Sequence, residues 1–178
     1  MIHSLAAGTV KSIPQASDLA ETFSAEIVRH RGIILKICRI YGKENGDADD
    51  LYQEIVLNAW TSYVSFERRS KFSTWLYRVA LNTALYQNRK NKFAGKLTGL
   101  EAVENTSIDD PENEKRTMLY AVIGQLDAIE KSIIILYLDD LSYREISEVT
   151  GLTETNIGVK LNRIKIKMKT LLDGYGNR

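Results

Sequence analysis

The chain has 178 residues, 24 Lys or Arg against 23 Asp or Glu, one cysteine and two prolines. A single cysteine, Cys38, excludes an internal disulfide and suits a reducing cytoplasm, and no apolar run approaches the ~20 residues of a membrane-crossing helix. The opening "MIHSLAAGTVKSIPQ" lacks the basic segment followed by an apolar core that marks a secretory signal, so a cytoplasmic location is expected.

The near-zero net charge conceals a segregated pattern. Residues 61–99 carry eight Lys or Arg and one acid, and residues 155–178 carry six and one. Between them, residues 100–154 carry thirteen acids and four Lys or Arg. Basic islands of this density are either solvated helix faces or polyanion sites.

In chain order, Ser17 or Asp18 is placed to cap a first helix that ends at Gly42. Leu19, Phe23, Ile27, Ile34, Ile37 and Tyr41 give it an apolar stripe. Asp47 is placed to cap a second helix, with Asp49 and Asp50 in its first turn and Leu51, Ile55 and Ala59 as its apolar face. A third helix is expected over 72–92. Residues 93–112 contain Gly95, Gly99, Asn105 and Pro111 without a steady period, which predicts a linker between two domains. Beyond it, Leu119, Val122, Ile123 and Leu126 form one stripe, and Ile129, Ile133, Leu136 and Tyr137 the next. Ser142 and Glu145 form a capping-box pattern, Gly151 suits a turn with positive φ, and Thr153 can cap a last helix with core positions Ile157, Leu161, Ile164 and Met168. Short helix, glycine turn, longer basic helix is the helix-turn-helix layout, although a plain helical hairpin has the same local features.

On a helical wheel of 72–92, Phe72, Leu76, Val79, Ala80 and Thr83 share the core arc. Leu81 and Leu85 fall on the far side, which predicts burial on two faces. Beside the core arc runs a second stripe of Trp75, Arg78, Asn82, Tyr86 and Arg89. Rings stack on unpaired bases, cations meet phosphate and an amide reads a base edge, so this set suits single-stranded nucleic acid. Trp75 also borders the core, and periodicity leaves both roles open to it. In the last helix Asn156, Lys160, Arg163 and Lys167 flank the core on one side and Gly158, Asn162, Lys165 and Lys169 on the other, as in a helix that enters a major groove. Asp47, Asp49, Asp50 and Glu54 cluster, but helix capping accounts for them. His3 and His30 fit no ligand pattern, and no nucleotide-binding or catalytic motif is present. No catalysis, metal or cofactor is expected.

Three segments in order, "DADDLYQEIVLNAW", "FSTWLYRVALNTALYQNRK" and "LSYREISEVTGLTETNIGVKLNRIKIKMK", strongly resemble the extracytoplasmic-function (ECF) group of bacterial sigma factors over residues 20–172. The resemblance implies an all-α protein of two small helical domains: a sigma-2-like domain over 18–92, a linker over 93–112 and a sigma-4-like helix-turn-helix domain over 113–172. It implies core RNA polymerase and promoter DNA as partners, with an anti-sigma factor as a further one. Asp50, Gln53, Glu54 and Leu57 then correspond to polymerase contacts. Phe66, Arg68, Arg69, Lys71, Trp75, Arg78, Asn82, Tyr86 and Arg89 correspond to the reader of the melted −10 element, which holds a flipped non-template base. Ser142, Thr155, Asn156, Gly158, Val159, Lys160, Arg163 and Lys167 correspond to the −35 reader. The chain departs from the family pattern at Gly158, where many relatives have a cation, at Val159, often serine, and at Asp127, often proline. Two other readings are a helix-turn-helix regulator that works without polymerase and a decoy for an anti-sigma factor. The acidic helix at 47–60 and the Trp75 stripe speak against the first, and the retained basic residues against the second.

Overall fold

The computed structural model describes residues 16–42, 47–93 and 111–176. The N-terminal segment and residues 94–110 of the expected linker lie outside the described residues. The rest is all-α as expected, in seven helices: α1 Ala16–Tyr41, α2 Asp47–Tyr63, α3 Phe72–Phe93, α4 Pro111–Gly124, α5 Ala128–Leu138, α6 Tyr143–Thr150 and α7 Glu154–Gly176.

The helix α1 starts earlier than its capping signals suggest. It begins at Ala16, so Ser17 and Asp18 lie inside the first turn. Asp18 there still complements the positive end of the helix dipole. Gly42 ends α1 as expected, its N–H donating to the Cys38 carbonyl at 2.7 Å. A Cβ at Gly42 would run into that carbonyl, so the turn that ends α1 demands glycine here, and it would also crowd Ala48 of α2 at 3.1 Å.

The helices α1, α2 and α3 pack around one another. Ile34, Ile37, Leu51, Ile55, Leu76 and Ala80 are fully buried between them. The helix α3 is indeed buried on two faces: Leu76, Ala80 and Thr83 on one, Tyr77, Leu81 and Ala84 on the other. It touches α1 and α2, and also α6 of the second half.

The helix α5 contains Ile133, Ile134 and Ile135 in succession, a run whose β-branching favours strand. All three are buried. Burial contributes about 1.5–3 kcal/mol for each such side chain, against a helix-propensity cost below about 0.7 kcal/mol, so packing decides. Asp127 starts this helix as an N-cap: its carboxylate accepts from the N–H of Ile129 at 2.9 Å and of Glu130 at 2.8 Å. Glu130 accepts in return from the Asp127 N–H at 3.1 Å, which completes a capping box. The departure from proline at this position therefore has a definite structural use. Ile129, expected in the core stripe, is instead exposed, because it falls in the first turn beside the cap.

The expected caps of the helix-turn-helix are present. Ser142 and Glu145 form a reciprocal box at the start of α6, and Gly151 ends it with φ 74°. The Thr153 hydroxyl accepts from the Asn156 N–H at 3.3 Å at the start of α7. Ile157, Leu161, Ile164 and Met168 are all buried.

The two halves also meet. The Tyr41 hydroxyl, at the end of α1, donates to the Ala128 carbonyl at 2.9 Å and lies 2.9 Å from the Ser132 hydroxyl. Burial pushes the ionisation of this phenol far above its usual range. Lys36 pairs with Asp139, and the Arg39 guanidinium lies 4.3 Å above the Tyr120 ring.

Candidate nucleic-acid interface

Helix packing fixes which side chains α3 presents outward. Arg78, Asn82, Tyr86 and Arg89 are exposed along one line, Tyr86 by 61%. Among the described residues the Asn82 amide makes no hydrogen bond. Its neighbour Thr83 points inward, where its hydroxyl donates to the Val79 carbonyl at 2.9 Å and accepts from the Asn58 amide at 3.1 Å. One residue of the pair is consumed by the fold and the other faces solvent.

Trp75 differs from the rest of its stripe. It is half-buried and stacks on Phe66, with ring centroids 4.8 Å apart and planes 29° apart. Phe72 lies 5.2 Å away and Tyr63 6.1 Å away. Trp75 thus packs with the core rings on one side and keeps part of its surface in solvent. Offset and tilted pairs of this kind add about 0.5–1.5 kcal/mol each beyond burial.

The connection from α2 to α3 closes over this cluster. Its Phe66 N–H donates to the Tyr63 carbonyl at 3.0 Å. Arg68 has φ 54°, a left-handed conformation that is uncommon for a residue with a side chain. Arg69 pairs with Glu67, both well exposed. A cavity of about 160 Å³ opens here, lined by Glu26, Tyr63, Phe66, Arg68, Ser70 and Phe72. Of these, Glu26, Tyr63 and Phe72 were not among the expected binding residues. Glu26 carries no local signal, because only the packing of α1 brings it to the site.

Lys71, the last residue before α3, reaches the other half and donates to Glu145 at 2.9 Å. This hydrogen bond first, and those from the Ser142 N–H and hydroxyl next, lower the Glu145 carboxyl to a pKa of about 2.

On α7, Thr155, Asn156, Val159 and Arg163 are exposed, while Lys160 is half-buried. Lys167 is held by Glu130 at 2.7 Å. Lys165 donates to the Tyr137 hydroxyl at 2.8 Å and lies over its ring at 4.1 Å. The outward face therefore centres on Val159, Asn162 and Arg163, with Lys160 and Lys167 at its margins. A Cβ at Gly158 would lie 3.5 Å from the Tyr143 ring, so Tyr143 borders the place where many relatives carry a cation. Ser142 is exposed at the same end, engaged in its capping box.

The helix α2 bears a third surface. Asp50, Gln53 and Leu57 are exposed, and the stripe continues at spacings of three and four through Trp60 to Val64. Leu57 is 60% and Val64 76% exposed. Glu54 is turned toward α3, where the Gln87 amide donates to it.

A family model described as Sigma-70 region 2 matches residues 27–94, and one described as Sigma-70, region 4 matches residues 116–168. The ECF RNA polymerase sigma-E factor of Escherichia coli K12 is 30% identical over 144 residues, covering 72% of this chain and 75% of that protein. The RNA polymerase sigma factor CnrH of Cupriavidus metallidurans is 27% identical over 172 residues, covering 89% and 90%. The fold is similar to that of sigma factor RpoE of Bartonella quintana, solved in complex with the anti-sigma factor NepR, with a TM-score of 0.68 at 20% identity over 86% of this chain and 98% of that one. The chain belongs to the ECF group of the sigma-70 family: it is an alternative sigma factor that directs RNA polymerase in transcription initiation.

Proposed function

We propose that the two halves divide this task, with residues 18–92 binding core polymerase and melting the −10 element, and residues 113–172 reading the −35 element as a duplex. Residues 94–110 link them, fewer than the expected 93–112, because Phe93 belongs to α3 and Pro111 starts α4. The observation that carries this reading is the exposed line of Arg78, Asn82, Tyr86 and Arg89 on the same helix as Trp75, whose ring stacks on Phe66 of the pocket lining. A cationic line with one exposed ring, Tyr86, and an amide tracks a separated strand, and the pocket accepts a base removed from the stack. Arg68, Arg69 and Lys71 add cations around its mouth.

The stripe of Asp50, Gln53, Leu57, Trp60 and Val64 serves as the polymerase contact, since its apolar members gain by leaving water. Glu54, turned toward α3, supports that stripe from beneath. On α7, Thr155, Asn156, Val159 and Arg163 face the −35 groove, with Lys160 and Lys167 toward phosphate, and Ser142 at the N-terminus of α6 meets the backbone. The protein contributes binding energy and no bond chemistry of its own. It acts in the cytoplasm, where polymerase is, and an anti-sigma factor is a further partner.

The test is run-off transcription with purified core polymerase, with and without this protein. Promoter-dependent transcripts only in its presence are the expected result. Binding of promoter DNA without polymerase and no transcripts would favour a regulator that acts alone.

A further inference from the structure

The pocket ahead of α3 has one wall of unexpected charge. Five of its lining residues, Tyr63, Phe66, Arg68, Ser70 and Phe72, come from the α2–α3 connection and the helix ends that flank it. The sixth is Glu26, from the middle of α1. Its side chain is 32% exposed, and its Oε2 lies 3.3 Å from His30 Nδ1, one turn along the helix. The His30 ring in turn rests 5.2 Å from Phe72. The same His30 Nδ1 lies 2.9 Å from the Glu26 backbone carbonyl, so it is the position of Glu26 on α1, beside the ring cluster, that brings its carboxylate to the pocket.

A carboxylate is a poor neighbour for a polyanion. Phosphate repels it, and an ionised carboxylate only accepts hydrogen bonds. The surrounding segment of residues 61–99 is otherwise strongly basic, with eight cations and one acid. A carboxylate facing DNA there is favourable only where the group opposite is a donor. On DNA the strong donors are N–H groups of the bases, and a flipped base is read along its Watson–Crick edge between flat side chains. Arg68, across the same pocket, is a donor only, and the Ser70 hydroxyl serves either role. An acceptor on one wall and a donor on another match an edge that offers both an amino group and an acceptor. Cytosine offers its N4 amine beside N3 and O2, and adenine and guanine also carry an amine. Thymine presents carbonyl, N–H, carbonyl, so its O4 would stand where cytosine has the amine, against the Glu26 carboxylate.

We infer that Glu26 is a specificity-determining residue: it makes this pocket accept an amino-bearing base and reject thymine at one non-template position of the −10 element. The inference rests on the sigma-factor reading above. Cytosine against thymine is the sharpest comparison, because the two share ring size and stacking.

The test uses holoenzyme reconstituted from core polymerase and either the intact protein or its Glu26→Gln or Glu26→Ala variant. Each transcribes a promoter library randomised through the −35 and −10 elements, and the transcribed promoters are sequenced. The intact protein is expected to disfavour thymine at one −10 position by about tenfold or more, the worth of one good base contact. Glu26→Gln, whose amide also donates, is expected to remove most of that bias at this position alone, and Glu26→Ala to flatten the preference among all four bases there. Unchanged preferences at every position with transcription intact would overturn the proposal. So would a uniform fall in transcription with preferences unchanged, which would mark Glu26 as a structural partner of His30. Absence of promoter-dependent transcripts with the intact protein would instead sink the sigma-factor reading, and this inference with it.

Discussion

Lys71 Nζ donates to Glu145 at 2.9 Å, joining the loop before α3 to the first helix of the helix-turn-helix. The residues are 74 positions apart. Glu145 already has a local duty, since it completes the capping box with Ser142.

The pair makes stability depend on pH. The folded Glu145 pKa of about 2 is below the ordinary value of 4.5, with the Lys71 hydrogen bond as the largest cause. A depressed carboxyl stabilises the fold above its unfolded pKa, and that stabilisation fades as pH falls from about 4.5 toward 2. Glu145→Gln retains a capping partner but loses the charge. Denaturant midpoints of the intact protein and the variant should differ at pH 6, differ less at pH 3 and converge only at about pH 2. A constant difference across that range would show that the ion pair contributes nothing.

On the proposed reading, Asn82→Ala and Trp75→Ala should reduce open-complex formation much more than polymerase binding, because that reading turns both side chains toward the separated strand. Permanganate reactivity of the melted bases and a polymerase titration read the two effects separately. Equal losses in both would remove these residues from the DNA-facing set.

Leu57→Glu and Val64→Glu should leave stability within about 0.5 kcal/mol, since both side chains are largely in water. Their affinity for core polymerase should fall by about tenfold or more, as expected for charge placed in a buried apolar contact. Retained affinity in both would move the polymerase surface elsewhere on the protein.

Arg163→Ala should weaken the −35 footprint of holoenzyme and leave the −10 footprint in place. An unchanged −35 footprint would discard the assignment.

Gly158→Ala should stabilise α7 by up to about 1 kcal/mol, since glycine is the costliest ordinary residue inside a helix. The added Cβ would meet the Tyr143 ring at 3.5 Å, an ordinary contact. Thermal unfolding measures the gain, and a lower melting temperature would mean that Tyr143 cannot accommodate the methyl group.

The sequence made the helices legible because their stripes obey the helical period. Phe23, Ile27, Ile34 and Ile37 are buried on α1, and Ile157, Leu161, Ile164 and Met168 on α7, as their spacing required. Gly151 and the Ser142–Glu145 box were readable because they act over three or four residues. Glu26 was not readable as a pocket residue, because the chain around it holds no sign of what α2 and α3 bring alongside. The contact of Tyr41 with Ser132, 91 positions away, was hidden for the same reason. Asp127 was visible as a departure, but its use as a cap emerged only with the hydrogen bonds it accepts.

The burial of α3 on two faces limits how such a protein can be redesigned. Tyr77, Leu81 and Ala84 answer to one set of neighbours and Leu76, Ala80 and Thr83 to another, so most of the circumference is closed to change. The remaining arc of Arg78, Asn82, Tyr86 and Arg89 is exposed and open to substitution, and on the proposed reading promoter contacts would be redrawn there. The loop from Val64 to Lys71 is tied in at Phe66, which stacks on Trp75, and at Lys71, which bonds Glu145, but leaves Glu67, Arg68 and Arg69 exposed between them. New preferences at the −10 element should be sought there first, with α3 left as a rigid ruler beneath it.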